Sequence, residues 1–79
     1  MSNQQPQSLD ARNLNCPLPI LRTKKALNGM QVGGLLEIVA TDPGSVNDLR
    51  SFCEQTGNEL ISSKAENEEF IFVIRKTQP

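Results

Sequence analysis

The sequence lacks histidine, tyrosine and tryptophan, and it has only two cysteines among 79 residues. Without histidine the chain cannot form a Ser–His–Asp or Cys–His catalytic centre, and it has no side chain that normally titrates near neutral pH. The two cysteines, Cys16 and Cys53, form neither a CxxC pair nor a four-cysteine zinc site, and they are too few for a disulfide framework. We therefore expect no metal and no other cofactor.

A long apolar run is also missing, because no stretch approaches the roughly 18 residues that indicate a membrane-spanning helix. The first eight residues, MSNQQPQS, are polar and have no hydrophobic signal region. The net charge of −1 argues against direct binding to nucleic acid. These features predict a cytoplasmic protein without membrane contact, with a disordered tail over residues 1–7 and a single domain over residues 8–77.

Apolar spacing predicts six elements in the order β-α-β-α-β-β. They lie over residues 8–12, 17–28, 35–40, 43–56, 59–66 and 70–76. Two helices must then cover one face of a four-stranded sheet, and right-handed strand–helix–strand connections make the joined strands parallel. The prediction is an α/β fold of the α+β two-layer sandwich type, with a mixed sheet.

The apolar side of each predicted helix gives a first view of the core. In the first helix this side is formed by Ile20, Leu21 and Leu27. The second helix begins at Pro43, or alternatively one turn later around Ser45.

A cysteine stands directly before a Pro-x-Pro unit in the segment NLNCPLPILRTKK, where the first predicted helix begins. Proline lacks an N–H, so Pro17 and Pro19 remove only donors that have no partner in the first helical turn. Pro17 also keeps Cys16 out of helical geometry, which suits a residue that caps the helix. We therefore expect Cys16 at the N-cap, with the Leu18 N–H directed at its sulfur.

A cap position has chemical consequences for the Cys16 thiol. The helix N-terminus carries about half a positive charge, and a thiol there can have its pKa lowered from about 8.5 toward roughly 3.5–7.5. Arg12 adds to this effect if it folds nearby. Cys16 is thus either a thiolate nucleophile that needs no histidine or an ordinary small residue before a proline-started helix.

Cys53 shares an apolar helix side with Val46, Leu49 and Phe52, where a buried cysteine is common. We interpret it as a core residue, and the alternative is a resolving cysteine that reacts with Cys16.

Charge is unevenly distributed along the chain. Four bases and one acid lie before residue 37, whereas eight acids and two bases lie over residues 37–69. The early bases are Arg12, Arg22, Lys24 and Lys25. They are either scattered solubilising charge or a basic surface near Cys16 on which a partner protein docks.

Three segments together resemble the small sulfur-carrier proteins of the TusA type, also called SirA-like: LDARNLNCPLPILRTKKAL, MQVGGLLEIVATDPGSVNDLRSFCEQTGNEL and FIFVIRK. The resemblance covers nearly the whole chain and is anchored by the Cys-Pro-x-Pro motif. It implies a βαβαββ sandwich in which Cys16 accepts sulfane sulfur and carries it as a persulfide. Pro17, Leu18 and Pro19 are then the motif residues that shape the start of the helix.

By the same resemblance, the sulfur donor is a cysteine desulfurase or a rhodanese-type sulfurtransferase. An acceptor protein then passes the sulfur toward tRNA thiolation, molybdenum-cofactor enzymes or sulfur oxidation. The chain is a sulfurtransferase-type carrier under this interpretation, rather than a free-standing turnover enzyme, and we expect a monomer. Arg12, Arg75 and Lys76 match basic positions of the family and join the docking candidates.

Two positions depart from the family pattern. Many members have glycine where this chain has Asn13, although asparagine tolerates left-handed backbone better than most residues. Some carriers for tRNA thiolation have glutamate between the two prolines, where this chain has Leu18. The second departure leaves the pathway open.

Two other functions also stay open. In a thiol redox protein, Cys16 would form a disulfide with Cys53 or with a partner, although the missing CxxC pair argues against it. A binding module for nucleic acid or a regulatory protein would not depend on Cys16. The near-zero net charge and the three aromatic residues, all phenylalanine, argue against RNA binding.

Overall fold

The computed structural model describes residues 7–77 of the chain. It contains six elements: β1 (Gln7–Ala11), α1 (Leu18–Asn28), β2 (Leu35–Ala40), α2 (Ser45–Thr56), β3 (Glu59–Glu66) and β4 (Glu69–Arg75). This order confirms the predicted β-α-β-α-β-β arrangement. The tail predicted over residues 1–7 lies outside the described residues except for Gln7, which begins β1. Neither helix within 7–77 is long and apolar enough to cross a membrane.

The four strands form one mixed sheet with the spatial order β1-β2-β4-β3. β1 and β2 are parallel, while β4 is antiparallel to both of its neighbours. The last residue of β1, Ala11, pairs with the last residue of β2, Ala40. The loops that leave these two strands therefore start side by side, and they contain Cys16 and the segment TDPGS.

The core lies between the sheet and the two helices. Leu36 and Ile38 of β2 pair with Ile74 and Phe72 of β4, and all four side chains are at most 1% exposed. Three buried side chains from the helices complete this layer: Leu27, Leu49 and Cys53. The two-layer α/β sandwich is therefore confirmed, and Cys53 is a core residue as predicted.

The buried side of α1 differs from the predicted one. Leu27 is buried, but Leu21 is 54% exposed, and Pro19 and Thr23 occupy the inner side instead. Thr23 tolerates burial because its hydroxyl donates a hydrogen bond to the Pro19 carbonyl oxygen at 2.8 Å. The apolar pattern missed this stripe because it counted neither threonine nor proline as a core residue.

Candidate functional site

Cys16 lies exposed in the loop between β1 and α1. Two hydrogen bonds fasten this loop to the loop after β2. The Cys16 N–H donates to Asp42 Oδ2 at 2.9 Å, and the Asn13 N–H donates to Thr41 Oγ1 at 2.9 Å. Asn13 has a φ of 65°, so it adopts the left-handed backbone that asparagine tolerates. The cysteine therefore sits on a loop whose backbone is held from its neighbour.

The start of α1 corrects the predicted cap. The helix begins at Leu18, its N-cap is Pro17, and Cys16 lies one residue before the cap. The Leu18 N–H donates to the Asn15 carbonyl oxygen at 2.8 Å, not to the Cys16 sulfur. The physical reason is a turn over residues 15–18, which uses the first free N–H of the helix and places Cys16 inside the turn.

The electrostatic environment of Cys16 also corrects a prediction. The pKa of the Cys16 thiol is raised, not lowered, and the largest cause is its hydrogen bond with the Asp48 carboxylate. Partial desolvation and the negative charges of Asp48 and Asp42 act in the same direction. Two nearby carboxylates thus outweigh the positive helix end in their effect on the pKa of the Cys16 thiol.

A groove of about 260 Å³ opens beside Cys16, between α1 and α2. It is lined by Cys16, Pro17, Ile20, Asp48, Ser51, Phe52 and Gln55. Its walls are largely apolar, and Asp48 is the one charged side chain among these described lining residues. An open groove of this kind suits a segment of another protein better than an enclosed small molecule.

The basic residues of α1 do not form a single cluster. Arg22, Lys24 and Lys25 are all exposed. Arg22 and Lys25 line one depression with Leu9 of β1, whereas Lys24 lines another with Phe52 of α2. Any docking surface therefore uses one side of α1 or the other, or wraps around the helix.

Leu18 and Leu21 leave an exposed apolar strip on the outer side of α1. They are 44% and 54% exposed, respectively, and they stand three positions apart, so they are neighbours on the helix. This strip begins two residues after Cys16 and is an apolar element that a partner can cover.

Two of the three arginines predicted for docking, Arg12 and Arg75, are paired with acids on the sheet. Arg12 pairs with Asp10 at 2.9 Å and with Glu69 at 3.6 Å. Arg75 pairs with Glu59 at 3.4 Å. Arg12 is therefore neutralised by Asp10 of β1 and Glu69 of β4, and nothing in its contacts directs it to the Cys16 sulfur.

Lys76 has an inward position that the sequence did not suggest. It is 8% exposed, and its Nζ donates to the carbonyl oxygens of Leu27 and Met30, both at 2.7 Å. Leu27 is in the last turn of α1 and Met30 lies two residues beyond the helix, so the ammonium group sits at the C-terminal end of α1, where a cation is favourable. Its ammonium group is therefore used inside the domain, in contrast with the other docking candidates.

The Asp10–Arg12 pair gives a pH-dependent prediction. The hydrogen bonds from Arg12 lower the pKa of the Asp10 carboxyl from 3.8 to about 2. Because the folded-state pKa is depressed, the stabilisation from this pair is present above pH 3.8 and is lost as the pH falls toward about 2. Arg12→Ala is expected to raise the Asp10 midpoint part of the way toward its ordinary value, because the backbone N–H of residue 12 still donates to Asp10 Oδ1. NMR of the carboxyl carbon measures this change.

Arg75→Ala is the matched control for this titration, since it removes an arginine with a different acidic partner. It should leave the Asp10 midpoint unchanged. An Asp10 midpoint that stays low in Arg12→Ala would contradict the assigned cause.

Sequence reasoning missed two residues of the site, Asp42 and Asp48. Neither was named as a site residue, yet Asp42 accepts a hydrogen bond from the Cys16 N–H and Asp48 lines the groove beside Cys16. The predicted topology did contain a signal for this proximity. Helices that follow adjacent parallel strands begin at the same edge of the sheet, so the first turn of α2 had to lie near the loop that precedes α1.

Comparison with known proteins agrees with this geometry. Residues 7–76 match the family model described as Sulfurtransferase TusA. The chain is 59% identical over 71 residues to the sulfur carrier protein TusA of Allochromatium vinosum, covering 90% of this chain and 93% of that protein. It is 38% identical over 68 residues to the sulfur carrier protein TusA of Pseudomonas putida, covering 86% and 85%.

A solved structure shows the same architecture. The crystal structure of a SirA-like protein from Desulfitobacterium hafniense superposes with a TM-score of 0.77 at 25% identity, covering 90% of this chain and 97% of that one. The fold, the family match over residues 7–76 and these relatives lead to one conclusion: the chain belongs to the TusA family, also called SirA-like.

Proposed function

We propose that the chain is a sulfur carrier that accepts sulfane sulfur on Cys16 as a persulfide and relays it to an acceptor protein. The observation that supports this is the position of Cys16, an exposed thiol that lines an open groove and lies on a loop fastened by the Asp42 hydrogen bond. Sulfur exchange requires an accessible sulfur that can become a thiolate. The donor can be a cysteine desulfurase or a rhodanese-type sulfurtransferase.

The reaction is an exchange at sulfur that needs no metal and no histidine. The Cys16 sulfur attacks the outer sulfur of the donor's persulfide, and the bond between the two donor sulfurs breaks. The electron pair of that bond stays on the donor's cysteine, which takes up the proton that Cys16 releases. No electrons are gained or lost overall. In the delivery step the acceptor's thiolate attacks the outer sulfur of the Cys16 persulfide, and the Cys16 sulfur is the leaving group.

Docking requires a surface around the thiol, and α1 supplies it. The exposed Leu18 and Leu21 offer apolar area, and Arg22 and Lys25 follow each of them by four positions on the same helix. We assign partner contact to this mixed strip and to the groove. A transient complex of this kind is compatible with a monomer in the cytoplasm, where thiols stay reduced. Delivery toward tRNA thiolation, molybdenum-cofactor enzymes or sulfur oxidation remains a proposal.

The position of Cys53 argues against a redox pair with Cys16. Cys53 is 5% exposed in the core between α2 and the sheet, and both cysteines are free. Burial raises the pKa of the Cys53 thiol, which makes it a weaker nucleophile at neutral pH. A resolving reaction would therefore require the core to open.

The test is intact-protein mass spectrometry after incubation with a cysteine desulfurase and cysteine, and separately with a rhodanese and thiosulfate. The unmodified chain should gain one sulfur atom that a reductant removes. Cys16→Ser should gain none, and Cys53→Ser should gain as much as the unmodified chain. Loading that persists in Cys16→Ser, or no loading with either donor, would overturn the proposal. A loss of two hydrogens confined to the unmodified chain would indicate the redox pair instead.

A further inference from the structure

The groove beside Cys16 combines apolar walls with a single carboxylate at the thiol. Pro17 and Ile20 come from the start of α1, and Phe52 comes from α2. Asp48, in the first turn of α2, lines the same groove as Cys16. The other charged group that acts on the sulfur is Asp42, in the loop after β2. No cation from the described residues is among the groups that act on the thiol or line the groove.

We propose that Asp48 is a positioning residue beside Cys16, and that the partner's sulfur-bearing segment enters the groove and brings a lysine or arginine to Asp48. Pairing with that cation takes the carboxylate away from the sulfur, which can then ionise and react. This inference rests on the proposed sulfur-carrier function, and it specifies how the same site is regulated.

The charges of the groove support a basic partner segment. An uncompensated carboxylate beside an apolar wall attracts a side chain that carries both a cation and an apolar stem, as lysine and arginine do. An acidic segment would add a third negative charge to the two already near the sulfur. The groove therefore favours basic partner segments over acidic ones at the position where the two sulfurs must meet.

The transfer of the Cys16 proton is consistent with the same arrangement of charges. In the free carrier Asp48 lines the same groove as Cys16, and its nearby carboxylate raises the pKa of the Cys16 thiol. A partner cation that pairs with Asp48 lowers the cost of forming the thiolate, because it cancels the nearest negative charge. The proton then moves to the donor's leaving sulfur, so the exchange stays balanced. A free carrier with a protonated thiol is also less open to oxidation and alkylation, since the thiolate is the reactive form.

The first test measures alkylation of Cys16 by iodoacetamide from pH 6 to pH 10, in a Cys53→Ser background that leaves one thiol. Asp48→Asn keeps the size of the side chain and removes its charge. It should react about fivefold faster near neutral pH, the effect of removing one unit charge a few ångströms away in water, and its pH profile should move to lower pH. Glu54→Gln, an exposed acid on the same helix that does not line the groove, should leave rate and profile unchanged.

The second test addresses the partner. Two short peptides, Leu-Cys-Lys and Leu-Cys-Glu, are activated as mixed disulfides with thionitrobenzoate, and the rate at which Cys16 attacks each one is followed by absorbance. The chain with Asp48 should prefer the lysine peptide, and Asp48→Asn should lose most of that preference. Asp48→Ser, checked with Asp48→Asn for an unchanged circular dichroism spectrum, should give the same result.

These outcomes separate the inference from the proposed function. An unchanged alkylation profile in folded Asp48→Asn, or equal rates with both peptides, would overturn the role of Asp48 even if Cys16 loads sulfur. A failure to load sulfur would overturn the carrier function even if the alkylation profile moves as expected.

Discussion

Replacing Phe72 with alanine is expected to destabilise the domain by about 3–5 kcal/mol, the usual range for truncating a buried phenylalanine. Phe72 is fully buried in β4, a central strand of the sheet, where it pairs with Ile38. A domain of this size has a total free energy of unfolding of roughly 4–12 kcal/mol, so the variant should be close to its unfolding threshold. Because the chain has no tryptophan, urea unfolding followed by circular dichroism is the appropriate measurement.

The neighbouring residue on the same strand provides the control. Ile71 points to the opposite face of β4, which the helices do not cover, and it is only partly buried. Ile71→Ala should therefore cost less than half as much as Phe72→Ala. Equal costs, or a larger cost at Ile71, would contradict the assigned register, since a slip by one residue exchanges the two faces.

The fold was predictable because its local signals agree with one another. LLEIVA became a strand in which every second residue is buried, and Gly57 ends α2 with a φ of 84°, which suits glycine. The order of elements and the rule of right-handed crossovers then determined which strands are parallel. The side of α1 was predicted less well, because Thr23 becomes a core residue only through its hydrogen bond to Pro19.

The site was predictable in position but not in electrostatics. The Cys-Pro-x-Pro motif indicated an exposed cysteine at a helix start, and the structure places it there. The direction of its pKa shift depends on Asp48, which lies 32 positions further along the chain and meets the thiol only after both helices pack. A charge that acts through tertiary contact leaves no local signal in the sequence around the cysteine.

The inward position of Lys76 also depends on tertiary packing that leaves no local signal in the sequence. It leads to a second prediction with a large expected effect. Lys76→Met keeps the length of the side chain and removes the ammonium group, so the hydrogen bonds to Leu27 and Met30 are lost. Hydrogen bonds to charged groups typically contribute about 1.5–3 kcal/mol, and here part of this gain is offset by the desolvation of the buried ammonium. We expect a loss of about 2 kcal/mol in the free energy of unfolding, measured by urea titration.

Arg75 is the matched control, because it is the adjacent cation and its side chain is 50% exposed with one surface partner, Glu59. Arg75→Met should change stability by no more than about 0.5 kcal/mol, as expected for an exposed ion pair. Sulfur loading distinguishes the structural role of Lys76 from the docking role predicted by its sequence position. Lys76→Met that is as stable as the unmodified chain but loads sulfur slowly would restore the docking role. A destabilised Lys76→Met that loads normally while folded would assign its ammonium group to the end of α1.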